Sequence, residues 1–542
     1  MASGVAAITR EMVCVFEPSL WSDFFIKYEP QPLQRSERWL RIRAEKLKED
    51  THMLLKTCKD TAEKMALVDA LQHLGIDHLF TEQIGAALED IHGSEFNSSS
   101  LHDVALRFRL LREHGIWVPT DVFRNFRGKD GRFNKDITND PKGLLSLYNA
   151  AYLFVHNEPE LEEAISFASH HLKSMSDNIS SPLVEQVKRA LHIPFPRTFR
   201  RLETLHYISE YKEEEEHNPL LLELAKLDFS LLQRDNLMEL KDISEWWKGL
   251  YGTCGLTYAR DRMVEAYFWS YTVFYEQNYA RARMMYAKLV VLISLLDDTY
   301  DAHATIEECR ELNAAIQRWD ESAVSLVPEY LKNFYHKLLE TFREFEEEVA
   351  IIDNHRIDYA KRAFQKQSTY YLQEAEWLHQ NHKPCFEDHV HLSSMSSAVP
   401  LLCVGMMVGM GDAITEEALE WAVGTPDAVV ASAKIGRFMN DIAAYKHGKN
   451  KGDIESSVEC HMNEHQVTSD DAFATIDSLV ENEWKTINQA RFEHRAILST
   501  VKRVVNMAVS MRLYYDDRKD AYTFGTILED VVNNVFLKPV AI

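Results

Sequence analysis

Residues 284–301 read MMYAKLVVLISLLDDTYD, and the fold turns on how that stretch can be accommodated. Apolar side chains occupy nearly every face of a 3.6-residue period, interrupted by Lys288 and Ser294, so the segment reads as a helix buried on all sides. Its apolar part, Met284 to Leu296, falls well short of the roughly 20 residues a membrane span requires, which makes it a core helix. It ends in Asp297, Asp298 and Asp301, carboxylates that are costly in an apolar setting unless paired or bound to metal. Asp297 and Asp301, four apart, share a helical face, and oxygen ligands grouped this way suit Mg²⁺, which uses one or two carboxylates together with substrate phosphate. From burial context alone, a metal site and a solvated helix end carry equal weight. DDxxD strings arise by chance in acidic proteins, and a second one at residues 516–520 sits among polar residues.

Working outward, helical periodicity recurs at Trp39, Ile42 and Leu47 and at Leu220, Leu221, Leu224, Leu227 and Leu231, whereas alternating strand-like runs are hard to find. With only 19 Gly and 15 Pro in 542 residues, helices can run long. Breaks gather at residues 93–100, 139–141 and 192–196, and the acidic turn at 213–217 precedes Asn218-Pro219, a helix start. The sequence predicts an all-α chain of two helical domains, 1–225 and 226–542, without solenoid repeats.

The net charge of −24 excludes a general nucleic-acid or anionic-membrane binder, whose affinity comes from clustered Lys and Arg. Seven cysteines stand singly with no CxxC pair, which argues against a disulfide framework or thiolate metal site and for a reducing compartment. The first residues, MASGVAAITREMVCVFEP, lack a basic region followed by a sustained apolar core, so a cytoplasmic location is expected.

Three further strings carry possible chemistry. Arg260-Asp261-Arg262 places two guanidiniums about an acid, and the planar fork of Arg matches phosphate oxygens, although most such pairs are solvated surface residues. Tyr267, Phe268 and Trp269 offer aromatic faces able to stabilise a cation without reacting with it. Arg437-Phe438-Met439-Asn440-Asp441 sets an amide beside a carboxylate, either a second Mg²⁺ site or a helix-terminal pair.

Taken together, these strings resemble the plant terpene synthases, specifically the cytosolic sesquiterpene synthases, over nearly the whole chain. Phe16-Glu17-Pro18-Ser19-Leu20-Trp21, residues 106–112 and Gln373-Glu374-Ala375-Glu376-Trp377 add to the likeness. The resemblance implies an N-terminal α-barrel without its own chemistry and a C-terminal class I domain, with a cavity between antiparallel helices and two metal motifs across its mouth. Residue by residue, it implies Asp297 and Asp301 as metal ligands with Asp298 beside them, and Asn440 with Asp441 as the second anchor. It implies Arg260, Arg262 and Arg437 on the diphosphate, Trp269 on the pocket floor, and Tyr515, Asp520 and Tyr522 in a lid and pocket group. Residues 292–296 and the stretch around Ser396, Ser397 and Ala398 are candidate walls. The implied substrate is farnesyl diphosphate, the cofactor Mg²⁺ or Mn²⁺, and the working state a monomer. Glu11-Met12 stand where monoterpene relatives carry an arginine pair, which favours the sesquiterpene branch, and no DxDD string for protonation-initiated cyclisation occurs.

One departure bears on activity. The family's second motif continues with Ser or Thr four residues after its first ligand and Glu four further on, a ladder of about 12 Å along one helix face. Here the three positions are Asn440, Ala444 and Gly448, so two lack a metal donor. Three outcomes stay open: substitute ligation by Asp441, His447, Asp453 or Glu455, a weakly held third metal, or loss of ionisation.

Overall fold

Asn218 accepts a hydrogen bond from the backbone N–H of Leu220 at 3.0 Å, and Pro219 follows at the first helical position. The helix so started runs unbroken for 36 residues, Pro219–Cys254, and ends where Gly255 turns left-handed at φ 66°. In the computed structural model, which describes residues 16–31, 35–214, 217–349, 355–448 and 455–541, this helix belongs to two cores. Its early turns bury Leu221, Leu224 and Leu227 with the N-terminal helices, and its later turns bury Leu240, Ile243, Trp247 and Leu250 with the C-terminal ones. The division expected after residue 225 therefore lies inside one continuous helix. Trp21, Phe25 and Phe199 also pack into the C-terminal core, so that core includes the start of the described chain. Glu11, Met12, Cys14 and Asp453 lie outside the described residues.

Among the described residues all regular structure is helical, with one isolated antiparallel bridge between Arg127 and Phe133. The helix Ser469–Glu493 joins the halves. Arg197 donates to both carboxylate oxygens of Glu481 at 2.7 and 2.8 Å, and buried Asn488 donates to the carbonyls of Tyr152 and Phe154, each at 3.0 Å. Such bonds satisfy backbone groups that a buried junction would otherwise strand.

The stretch that opened the sequence reading forms the helix Ala280–Asp298, buried on nearly every face, and continues into one π-helical turn, Thr299–His303. It packs closely on the helix Val399–Gly409 through two glycines one turn apart. A β-carbon on Gly405 would meet Leu289 Cδ1 at 2.3 Å, and one on Gly409 would meet the Ala282 Cα at 2.6 Å. The second clash is with backbone, which cannot rotate away. Ahead of this helix, Phe386–Ser396 stops and Ala398 turns left-handed at φ 65°, bending the chain toward the cavity described below. By length and composition residues 386–409 could cross a membrane, but 83% of their most apolar window is buried inside the protein and the helix is broken within it.

Two glycines that meet opposite surroundings give a test. Gly409→Ala should lower stability by about 1–3 kcal/mol. Gly249→Ala, exposed in the long helix with nothing within 4 Å of the new β-carbon, should raise it by about 1 kcal/mol. Thermal denaturation of the two variants side by side reads the difference.

Candidate functional site

The C-terminal half of Ala280–Asp298 reaches a cavity of about 320 Å³. Asp297 and Asp301 line it, with Asp301 carried on the π-helical turn. Asp298 does not. Its Oδ2 accepts from the Arg260 backbone N–H at 2.7 Å and from Arg260 Nε at 3.2 Å, and its Oδ1 lies 2.9 Å from Arg260 Nη2. The same Nη2 donates to Asp297 Oδ2 at 2.7 Å. Arg260 thus ties the two adjacent aspartates together, and Asp298, expected beside the metal ligands, is instead buried against this guanidinium.

Arg262 is also buried and does not line the cavity. All its bonds end on main-chain carbonyls: Thr523 from Nε and Nη2, Asp261 from Nη1, and Glu17 from Nη2. It therefore straps the N-terminal segment to the C-terminal loop. The same loop is shaped by Asp520, whose Oδ1 accepts from the backbone N–H groups of Tyr522 and Thr523, each at 3.0 Å, and which likewise does not line the cavity. That turn delivers Tyr522 inward, where its hydroxyl meets Ser294 Oγ at 2.5 Å. Trp269 donates through Nε1 to Ser510 Oγ at 2.8 Å, stacks on Tyr514 at 4.2 Å and meets the Tyr522 ring edge-on at 5.5 Å. Trp269, Tyr515 and Tyr522 all line the cavity.

The helix Asp427–His447 brings Arg437, Asn440, Asp441 and Ala444 to the same space. Arg437 donates from Nε to the Ser393 carbonyl at 3.1 Å and from Nη1 to Asn440 Oδ1 at 3.4 Å. Asn440 Nδ2 donates to the Tyr515 hydroxyl at 3.3 Å. Asp441 is buried in a network of its own, accepting from Ser457 N at 2.8 Å and lying 3.3 Å from His389 Nε2. These bonds and Arg437 hold its carboxyl far below the usual range against the effect of burial. The helix ends at His447, with Gly448 as its cap at φ 91° and nothing within 4 Å of a β-carbon built there. Of the possible substitute ligands, Glu455 lines the cavity and pairs with Lys383 at 3.0 Å, whereas the His447 ring packs against Phe524 at 4.2 Å.

Sequence reasoning assigned no role to Glu374, which is half-buried in the cavity wall and accepts from Ser396 Oγ at 2.6 Å. Its only signal was its place in the Gln373–Trp377 string. Burial raises its carboxyl to about 7, against the pull of Arg437. Burial, Asp297 and Glu374 together push Asp301 well above the ordinary carboxylate range. Carboxylates that resist ionisation side by side are a donor set that a divalent cation relieves. Among the described residues no three His, Cys, Asp or Glu side chains close around one point tightly enough to hold a metal alone. The set therefore fits a hard cation that completes its shell with substrate oxygens and water.

The chain is similar to known proteins along nearly its whole length. Residues 20–191 match the terpene synthase N-terminal domain, and residues 248–486 match the terpene synthase metal binding domain. Tau-cadinol synthase from Zea mays is 52% identical over 97% of both chains, and alpha-copaene synthase from the same plant is 49% identical over 96% of this chain and 99% of its own. Among solved structures, isoprene synthase from grey poplar, in complex with three Mg²⁺ ions and dimethylallyl-S-thiolodiphosphate, superposes with a TM-score of 0.86 at 29% identity, covering 93% of this chain and 98% of that one. With two family domains in order, relatives matched along nearly their full length and an acidic, arginine-flanked cavity in the second domain, the chain belongs to the terpene synthase family.

Proposed function

We propose that the chain ionises farnesyl diphosphate with Mg²⁺, or Mn²⁺ in its place, and cyclises the carbocation to a sesquiterpene olefin or alcohol, releasing diphosphate. The observation that carries this reading is the mixed lining of one cavity: Asp297, Asp301 and Glu374 with Arg260 and Arg437, together with aromatic and aliphatic side chains such as Trp269, Val290, Ile293, Leu402 and Tyr522. The bound metal supplies electrostatic neutralisation of charge developing on the departing diphosphate. Arg437 commits Nε and Nη1 to the protein, which leaves Nη2 for a diphosphate oxygen. Arg260 adds positive charge beside Asp297, and Arg262 keeps the loop above in place. Residues 515–524 exclude water, with Tyr522 inside and Phe524 against His447. Trp269 and Tyr522 present π faces to the cation, and the walls around Val290, Ile293 and Ala398 select the fold of the chain before closure. Six described cysteines are free thiols, which supports action in the cytoplasm, and the reading takes the working state to be a monomer.

Ala444 and Gly448 favour a second reading, a catalytically weakened or inactive synthase, because neither offers a donor where the family's motif expects two. Product extraction and gas chromatography after incubation with farnesyl diphosphate across a Mg²⁺ titration separate the two: no hydrocarbon or alcohol at any Mg²⁺ concentration overturns the first. Asp297→Ala should lower turnover by roughly 10²–10³-fold, read as diphosphate release. Ala444→Ser, which restores a donor at a helical position on the cavity, should lower the Mg²⁺ concentration needed for half-maximal rate. Because Glu374 ionises only near about 7, the Mg²⁺ requirement should rise as pH falls through that value, and Glu374→Gln should flatten the dependence.

A further inference from the structure

Between the halves, apart from the site above, lies a second cavity of about 520 Å³. The N-terminal half contributes Asp77, Glu113 and Arg200, and the C-terminal half contributes Arg491, Lys502 and Arg503. Most of its charges are matched. Arg503 pairs with Glu276 at 2.9 Å, Arg495 with Glu89 at 2.5 Å, and Arg200 with Glu113 at 3.2 Å. His78 pairs with Asp228, and His114 is held neutral by burial with its Nδ1 at the Leu110 carbonyl.

Two cations, Arg491 and Lys502, and one carboxylate, Asp77, are left over, so the lining keeps a surplus of positive charge. Arg491 is 6% exposed and makes one hydrogen bond, from Nη1 to the Glu113 carbonyl at 3.0 Å, while its Nε has no partner. Among the described residues Lys502 has no hydrogen bond or ion pair, although Asp77 and Glu113 lie within electrostatic reach. Arg200 adds a buried Nη1 without a partner. Burial depresses both leftover cations, Arg491 to about 10 with Arg200 adding to the effect, and Lys502 with Arg491 and Arg503 adding to it. A buried cation with an unpartnered donor, such as Arg491, destabilises the fold unless something negative meets it.

We propose that this interdomain cavity binds a phosphate or diphosphate anion, held by Lys502, Arg491 and Arg200 across the junction of the two halves. A multi-oxygen anion matches donors carried by three helices, Arg200–Tyr211, Ser469–Glu493 and Leu498–Tyr514, that line one cavity. The lining also includes Ile84, Leu88, Val505 and Val509, so the anion can arrive free or as the head of a prenyl phosphate. The helix Leu498–Tyr514 carries Lys502 on this cavity and Ser510 beneath Trp269, so an occupant here touches an element of the catalytic wall. The inference rests on these unmatched charges and not on the reaction proposed above.

The test titrates the full-length protein with inorganic diphosphate in EDTA, at matched ionic strength, following melting temperature and calorimetric binding. Wild-type protein should gain stability with diphosphate. Lys502→Met should melt higher than wild type without the anion, since a desolvated charge is gone, and should bind diphosphate roughly tenfold more weakly. Arg491→Met provides the same readout should Lys502→Met fold poorly. Arg437→Ala, altered in the other cavity, should keep the response. A response unchanged in both cavity variants, or lost in Arg437→Ala, overturns the proposal. Farnesyl monophosphate in a parallel titration identifies the source: tighter binding than orthophosphate marks a prenyl phosphate site, and equal binding marks a free anion, each requiring Lys502.

Discussion

The bond between Arg260 and the Asp297-Asp298 pair is the contact on which the catalytic half depends. A helix as apolar as Ala280–Asp298 can end in three carboxylates only if some of their charge is balanced inside the protein. Arg260 supplies that balance through its backbone N–H and its guanidinium, fixing Asp298 and one oxygen of Asp297. What remains unbalanced, Asp301 with Glu374 and the rest of Asp297, faces the cavity. The anchoring and the reactive parts of one short acidic string are thus separated by a single guanidinium.

The all-α character and the site's location were legible in the sequence because both rest on local patterns. Period, few breakers and the four-residue spacing of Asp297 and Asp301 need no tertiary knowledge. Asp298, Arg262 and Asp520 were not legible in their positions, since each is set by a partner far along the chain: Arg260 for the first, Thr523 and Glu17 for the second, a turn at Tyr522 for the third. That residue 225 lies inside the continuous helix Pro219–Cys254 was not legible for a related reason. Leu221 and Leu250 show the same helical period, and nothing in that period reveals that the core receiving it has changed. Glu374 went unassigned because its carboxylate gains meaning only beside Asp301 and Arg437.

The second motif shows how backbone and side chain can depart together. Loss of a donor at residue 448 coincides with loss of the helix that would aim it, since Gly448 is the cap and not a further turn. The neighbouring Glu455 and Ser456 line the cavity from the chain that re-enters beyond that end, so oxygen atoms near the vacant rungs come from a different element with a different angle of approach.

Arg262 grips Glu17 by its carbonyl and makes no use of that residue's side chain. The closure it provides is therefore indifferent to residue identity at position 17. Substitutions there can accumulate while the strap from residue 17 to Thr523 keeps its geometry, and the register of the segment around residue 17 is what selection has to preserve.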